Sequence, residues 1–267
     1  PPRLAHRLLS CLRPSLRVIW ALSDRGSEGW NKPDRSFAFR RIAGLCTMIA
    51  LVGLTLFICQ ALVRIADTIL GPWSLAATAL LAWPAFAQRS LFLHGRAVAD
   101  ALDHHGLTAG RQAVAQICGR DVDALDHHGI SRAAIESLAE SLSDGIIAPL
   151  FWLLIGGLPA LWTYKAINTA DSMIGHKDDE WRAFGWAAAR LDDVANFIPA
   201  RLSGLLICAA SGRGFRTMMQ DHGKHASPNS GWPEAAMAGT LRLRLAGPVS
   251  YDGEVLPKAW IGYPINR

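Results

Sequence analysis

Glu136, Glu140 and Asp144 stand four residues apart in ISRAAIESLAESLSDGIIAPLFW (Ile130–Trp152). If that segment is helical, all three carboxylates share one face, and three like charges there repel one another unless a cation is present. Further along, Asn168, Asp171 and Ser172 follow one apolar run, and Arg190, Asp192, Asp193 and Asn196 open the next. This dense set of acids, amides and cations lies at the mouths of the apolar runs Ile146–Trp162 and Val194–Ser211. Ionisable groups in such places point to a functional site at a membrane surface. Solvated helix ends are the plainer alternative.

Those residues need elements to hold them, and the apolar runs supply a frame. IAGLCTMIALVGLTLFICQAL (Ile42–Leu62) reaches the roughly 20 apolar residues that a bilayer requires. Arg40 and Arg41 in front of it favour a cytoplasmic N-terminal end. Ile69–Ala87 is a second candidate span, bent or broken by Pro72 and Pro84. With Arg89 and Arg96 behind it, the pair reads as a hairpin returning to the cytoplasm; a buried hairpin in a soluble helical protein is the alternative. Ile146–Trp162 is short and interrupted by Gly156, Gly157 and Pro159. A full crossing there would put Glu140 and Asp171 on opposite sides of the membrane, whereas a re-entrant or broken segment keeps them together. Val194–Ser211 is a further candidate with Arg201 inside it, a residue costly in lipid unless it snorkels or faces a polar cavity.

The predicted fold is all-α: a polytopic helical membrane protein with helical cytoplasmic loops and a re-entrant or broken segment. It divides into a basic interfacial N-terminal region (1–41), a transmembrane hairpin (42–87), a cytoplasmic helical loop bearing the acid face (88–145), a membrane-associated catalytic core (146–211) and a C-terminal cytoplasmic region (212–267). The first region sets Arg3, Arg7, Arg13 and Arg17 among Leu, Val, Ile and Trp20, as an interfacial amphipathic helix does. The chain opens on Pro1 with no signal peptide visible, which predicts a missing upstream segment and leaves the membrane parity open. Of the 267 residues 51% are hydrophobic and only 18% charged, the balance of an integral membrane protein with sizeable polar loops. The net charge of +5 comes without an aromatic-rich basic motif, which argues against nucleic acid and for cytoplasmic anchoring and anionic substrates. Cys11, Cys46, Cys59, Cys118 and Cys208 are scattered with no CxxC, so neither a disulfide framework nor a zinc site is predicted, and a reducing compartment fits.

A short repeat, DALDHHG, occurs at Asp100–Gly106 and again at Asp123–Gly129. Each copy precedes a hydroxyl residue suited to N-capping, Thr108 or Ser131, and then an Ala-rich run. Neighbouring histidines on a helix point in different directions, and His before Gly suits a helix end. The repeat therefore predicts two stacked helix–turn units and no metal site. Near the C-terminus, Ser227-Pro228-Asn229-Ser230-Gly231 leads into Trp232-Pro233-Glu234 and a small-residue helix, the outline of an anion-binding device.

Four blocks, in order, resemble the cobalamin-biosynthesis enzyme family called adenosylcobinamide-phosphate synthase, or cobinamide synthase. They are GRDVDALDHHGISRAAIESLAESLSDGIIAPLFW (Gly119–Trp152), YKAINTADSMIGH (Tyr164–His176), FGWAAARLDDVANFIPARL (Phe184–Leu202) and HASPNSGWPEAAMAG (His225–Gly239). The likeness runs from the opening PPRL to the GPVSY region. Ser141 stands where the family more often has Asn, so that side chain is not expected to be indispensable; Thr169-Ala170-Asp171 replaces a usual Thr-Leu-Asp and keeps the acid. The apolar segment and Gly-Asp-Pro that normally precede this Pro-Pro are missing, in line with a shortened N-terminus.

The resemblance implies a multi-pass protein of the bacterial inner membrane. Such proteins join the free propionate carboxyl of adenosylcobyric acid to the amine of (R)-1-amino-2-propanol or its O-phosphate, with ATP and Mg²⁺ as the expected energy source. Within that chemistry Glu136, Glu140 and Asp144 are the expected magnesium ligands, and with Asp171, Asp192 and Asp193 the expected catalytic carboxylates. Asp192 or Asp193 would accept the ammonium proton or hold the amine. Lys165, Arg190 and Arg201 are the expected clamps on phosphate or propionate. Asn168, Ser172, Asn229 and Glu234 complete the substrate-binding set, facing the corrin amides or the aminopropanol end. No Walker motif or other named nucleotide loop is present. Membrane lipid and other late corrin-pathway enzymes are the further expected partners. Two other functions compete. A corrinoid transporter component would share broken spans, yet no inverted repeat is visible; a membrane scaffold would leave the clustered acids without a role.

Overall fold

A computed structural model describes Trp30–Tyr263 apart from Pro33, Lys177 and Asp252. The expected interfacial helix with Arg3, Arg7, Arg13 and Arg17 lies outside the described residues.

Helix α1 (Phe37–Leu70) starts where the Phe39 N–H donates to Ser36 Oγ at 3.2 Å and stops at Gly71, in a left-handed conformation (φ 50°) that a Cβ would strain. Its 34 residues run about 51 Å at about 1.5 Å each, well beyond a hydrocarbon core of about 30 Å. Pro72 and Pro84 each sit in a 3₁₀ turn, so the second apolar run breaks where the prolines predict. What remains between them is α2 (Ser74–Ala82), nine residues long, about 14 Å and short of a crossing by itself. Then come α3 (Gln88–His104), α4 (Gly106–Val114), α5 (His127–Leu142), a π turn (Ser143–Ile147) and α6 (Ala148–Ile174). Helix α6 is interrupted at Gly156 (φ −136°, ψ 20°) and Gly157 (φ 63°, ψ −155°), just before Pro159. Pro159 offers no N–H and its ring crowds the preceding turn, and glycine absorbs the resulting kink. Helices α7 (Trp186–Ala195), α8 (Phe197–Ser211), α9 (Phe215–Asp221) and α10 (Gly231–Leu241) follow.

The C-terminal segment departs from the all-α expectation. Strand β1 (Arg244–Ala246) pairs antiparallel with β4 (Trp260–Gly262), Leu245 opposite Ile261, and β2 (Val249–Tyr251) pairs with β3 (Glu254–Leu256). Gly247 and Gly253 supply the positive φ values, 84° and 83°, that turns between such short strands need. The repeat departs too. Its first copy ends α3, as expected, but the second starts α5: Asp126 Oδ1 accepts the Gly129 N–H at 2.6 Å and is the N-cap in place of Ser131. Ser131 Oγ bonds back to the His127 carbonyl at 2.9 Å inside the helix, and Thr108 likewise lies within α4.

The chain forms two units whose segments alternate along the sequence, one made of the described residues up to Phe86 with Ala148–Ala195, the other of Ala87–Ile147 with the described residues from Asn196 onward. In the first, α1 packs on α6 and α7 around Met48, Ala170, Ile174, Phe184 and Ala187. The approach is close: a Cβ at Gly44 would fall 1.9 Å from the Phe184 carbonyl oxygen. Ile42, Ile49, Phe57 and Ile65 on α1 stay exposed, as apolar side chains facing lipid do. In the second unit, α3, α4 and α5 share a core of Val98, Val114, Ile130 and Ala133, while α8, α9 and α10 meet around Ile207, Met218 and Ala236.

Two helical stretches among the described residues, Phe37–His104 and His127–Ile174, are long and apolar enough to cross a membrane, and α7 with α8 makes a bent apolar pair that would count as a third. The architecture is that of a helical membrane protein.

Candidate functional site

Helix α5 buries Ile130, Ala133, Ala134 and Ala139, and carries Glu136 and Glu140 one turn apart. Glu136 is buried; its Oε2 pairs with the Arg120 guanidinium and its Oε1 accepts the Ala246 N–H at 2.8 Å. Glu140 Oε1 accepts a hydrogen bond from Ser230 Oγ at 3.0 Å. The anion at the N-terminal turn of α10 is therefore Glu140's own carboxylate, a placement the helix dipole favours. Glu234, in the first turn of α10, is 6% exposed. These groups, with His225 and Lys258, line a cavity of about 90 Å³ within the second unit.

The electrostatics follow from burial. Desolvation first, then the negative charges of Glu136 and Glu140, push the Glu234 carboxyl up to about 8. Burial lowers the Arg120 guanidinium, but the Glu136 carboxylate outweighs it and the net shift is upward. Burial also drives His225 down, so its ring is neutral at pH 7. His225 Nδ1 accepts the Ser227 N–H at 3.0 Å, which leaves the ring proton on Nε2, 3.6 Å from Glu234 Oε2. Ser227 Oγ in turn accepts the Asn229 and Ser230 N–H groups at 3.2 and 3.3 Å and fixes the loop that presents Ser230.

The three acids expected to hold magnesium are not assembled as a metal cage. Glu136 has both oxygens engaged, by Arg120 and by Ala246. Asp144 sits in the π turn, whose wider winding takes it off the α-helical register, and it does not line the cavity. No group of three or more His, Cys, Asp or Glu among the described residues could hold a metal ion.

The remaining sequence-predicted residues fall in two places. In the first unit, Lys165, Asn168, Asp171 and Ser172 lie on α6, and Arg190, Asp192 and Asp193 on α7. Asn168 joins the two helices by donating to Asp192 Oδ1 at 3.2 Å and accepts from Lys165 Nζ at 3.5 Å. Arg190 pairs with Asp193 at 3.1 Å, and Ser172 Oγ bonds back to the Asn168 carbonyl. In the second unit, the Arg201 guanidinium lies 3.6 Å from the Phe197 ring centroid and 4.8 Å from that of Trp232, and reaches Asn229 Oδ1 at 3.4 Å.

A family model described as CobD/Cbib protein matches residues 10–267. The chain belongs to the CobD/Cbib family. The Cobalamin biosynthesis protein CobD of Rhodobacter capsulatus is 47% identical over 250 residues, 91% of this chain and 78% of that protein. Its namesake from a Sinorhizobium species is 46% identical over 88% of this chain and 75% of its own length. That of Brucella suis is 55% identical over 64% of this chain and 55% of its own. No solved structure matches. Family membership gives the chain a role in cobalamin biosynthesis.

Within this CobD/Cbib chain, Arg120, His225 and Lys258 line the cavity although their types and spacing did not single them out, and Ser230 lines it from the turn read as an anion-binding device. Arg120 and His225 stand at the heads of two of the blocks that carried the family resemblance, which is the signal the sequence held for them. Lys258 lies in an ordinary turn-rich stretch and carried none.

Proposed function

We propose that the chain forms the amide bond between the free propionate carboxyl of adenosylcobyric acid and the amine of (R)-1-amino-2-propanol or its O-phosphate, in the bacterial inner membrane as a multi-pass protein. The supporting observation is the polar cavity of the second unit, with a buried carboxyl pushed up to about 8 beside a neutral imidazole. An amine attacks only after losing a proton. A buried carboxylate whose pKa lies near neutrality is suited to take that proton, and perturbed groups of this kind gather at active sites. Glu234 is the acceptor in this reading. Glu140, fixed by Ser230, holds the ammonium before transfer, and the Arg120–Glu136 pair braces the wall behind both.

The propionate must also be activated, and ATP with Mg²⁺ is the proposed source. None of the cavity residues is assigned to the metal. Arg201, Lys165 and Arg190 remain the candidates for binding propionate or phosphate, and other late corrin-pathway enzymes are the proposed partners.

The test is an assay of the detergent-solubilised full-length protein with adenosylcobyric acid, ATP, Mg²⁺ and either donor, read by mass spectrometry. A product heavier by the amine minus water supports the reading, and Glu140→Gln is expected to abolish it while leaving the protein in the membrane. No product with either donor, in protein that still binds the corrinoid, overturns it in favour of a carrier or scaffold.

A further inference from the structure

The acid face of α5 contributes to a cavity whose charge does not suit a phosphate and whose side chains are not assembled as a metal-binding group among the described residues. Three carboxylates, Glu136, Glu140 and Glu234, face two permanent cations, Arg120 and Lys258, and Arg120 is already joined to Glu136. Burial and the neighbouring carboxylates push the Glu234 carboxyl up to about 8, so it is mostly protonated at pH 7, and its ionisation beside Glu136 and Glu140 leaves one negative charge for a cation to answer. Glu234 is 6% exposed, and its carboxylate accepts no hydrogen bond among the described residues; His225 Nε2, at 3.6 Å, is too far to supply one. Glu140 accepts one hydrogen bond, from Ser230 Oγ, and a carboxylate has room for about four. Glu140 is exposed and water can fill its remaining acceptor sites, whereas Glu234 is shut away from bulk water, and a buried acceptor requires a donor.

We propose that this cavity is the binding site of a small primary ammonium, held by Glu140 and Glu234 with Ser230 alongside. The inference rests on the amide-forming reading and names the residues that receive its amine. An ammonium brings one positive charge and three donors, which answers the surplus charge and the unfilled acceptors together. The volume, about 90 Å³, corresponds to the liquid share of about three waters. That admits an ammonium on a short carbon stem and lies well below the about 300 Å³ or more of pockets that enclose larger ligands. A divalent ion lacks the ligand group it needs among the described residues. A phosphate would meet the same surplus carboxylate charge, so the phosphate of a phosphorylated donor stays outside.

The test is calorimetric titration of the detergent-solubilised full chain with (R)-1-amino-2-propanol, without corrinoid or nucleotide, beside 1,2-propanediol and MgCl₂. The amine is expected to bind and the diol, which replaces the ammonium by a hydroxyl, is not. Glu140→Gln and Glu234→Gln should each weaken amine binding by about tenfold or more, in protein that still melts cooperatively. Two variants guard against the misfolding of one. Equal binding of amine and diol, unchanged affinity in both variants, or displacement of the amine by Mg²⁺ overturns the proposal. A chain that binds the amine through these residues yet makes no amide overturns only the reaction reading. Amide formation with wild-type donor affinity in both variants overturns only the site.

Discussion

Glu136 Oε1 accepts a hydrogen bond at 2.8 Å from the backbone N–H of Ala246, 110 residues further along the chain. Its other oxygen pairs with Arg120. This carboxylate is therefore a tie between α5, the segment before it and β1, while its neighbour Glu140, which accepts one hydrogen bond from Ser230, keeps more acceptor capacity for a ligand.

Glu136→Ala is expected to destabilise the second unit by about 2–4 kcal/mol, because it strands a half-buried guanidinium and a buried N–H. Denaturant unfolding in detergent measures this. Arg120→Ala should cost less in the Glu136→Ala background than in the wild type, and additive losses would refute the coupling.

Glu234 gives the protein a pH dependence opposite to that of an ordinary paired carboxylate. Its pKa rises from the usual 4.5 to about 8 in the fold. Below 4.5 folded and unfolded chains both hold the proton and the group costs nothing. Between 4.5 and about 8 the unfolded chain binds fewer protons than the fold, so stability falls as pH rises and levels off above. Melting temperatures of the wild type and Glu234→Gln across about pH 5 to 9 should diverge, with the flatter curve in the variant. Parallel curves would contradict the burial argument.

Gly44→Ala is expected to loosen α1 from the first unit, since the new methyl would fall 1.9 Å from the Phe184 carbonyl oxygen. The expected loss is about 1–3 kcal/mol. Gly53→Ala, on the same helix with nothing within 4 Å of its Cβ, serves as the control and should gain up to about 1 kcal/mol from helix propensity. Thermal melts of the two variants should move in opposite directions.

Arg242 terminates α10 in the left-handed region, with φ 55° and ψ 41°, and its side chain is exposed. Arg242→Gly removes the Cβ penalty and is expected to stabilise the chain by about 1 kcal/mol. An unchanged or lower melting temperature would show that the arginine makes up for its strained backbone.

The helix breaks were legible from single residues. Pro72, Pro84 and the Gly156-Gly157-Pro159 run interrupt helices where they stand, because a missing N–H and a ring clash act within one turn of chain. The apolar runs were legible for a related reason: hydropathy over a span length is a local property. The second DALDHHG copy was not, since Asp126 and Ser131 are both competent caps and the choice of the earlier one depends on how α5 packs. The strand pairs were missed as well, because three-residue strands carry too little periodicity to register and their pairing joins residues far apart in sequence.

The sequence by itself determined where the chain is apolar enough for a membrane, where its helices must break, and which family it resembles. Only the tertiary structure decided what the acids do. Glu136, Glu140 and Asp144 are alike on a helical wheel, yet one is bound to Arg120 and Ala246, one meets Ser230 at the start of α10, and one is displaced into a π turn. The physical reason is desolvation. A carboxylate's charge state and bonding are set by which distant groups exclude water from it, and that is fixed when residues 120, 136, 140, 225, 234 and 258 are brought around one cavity.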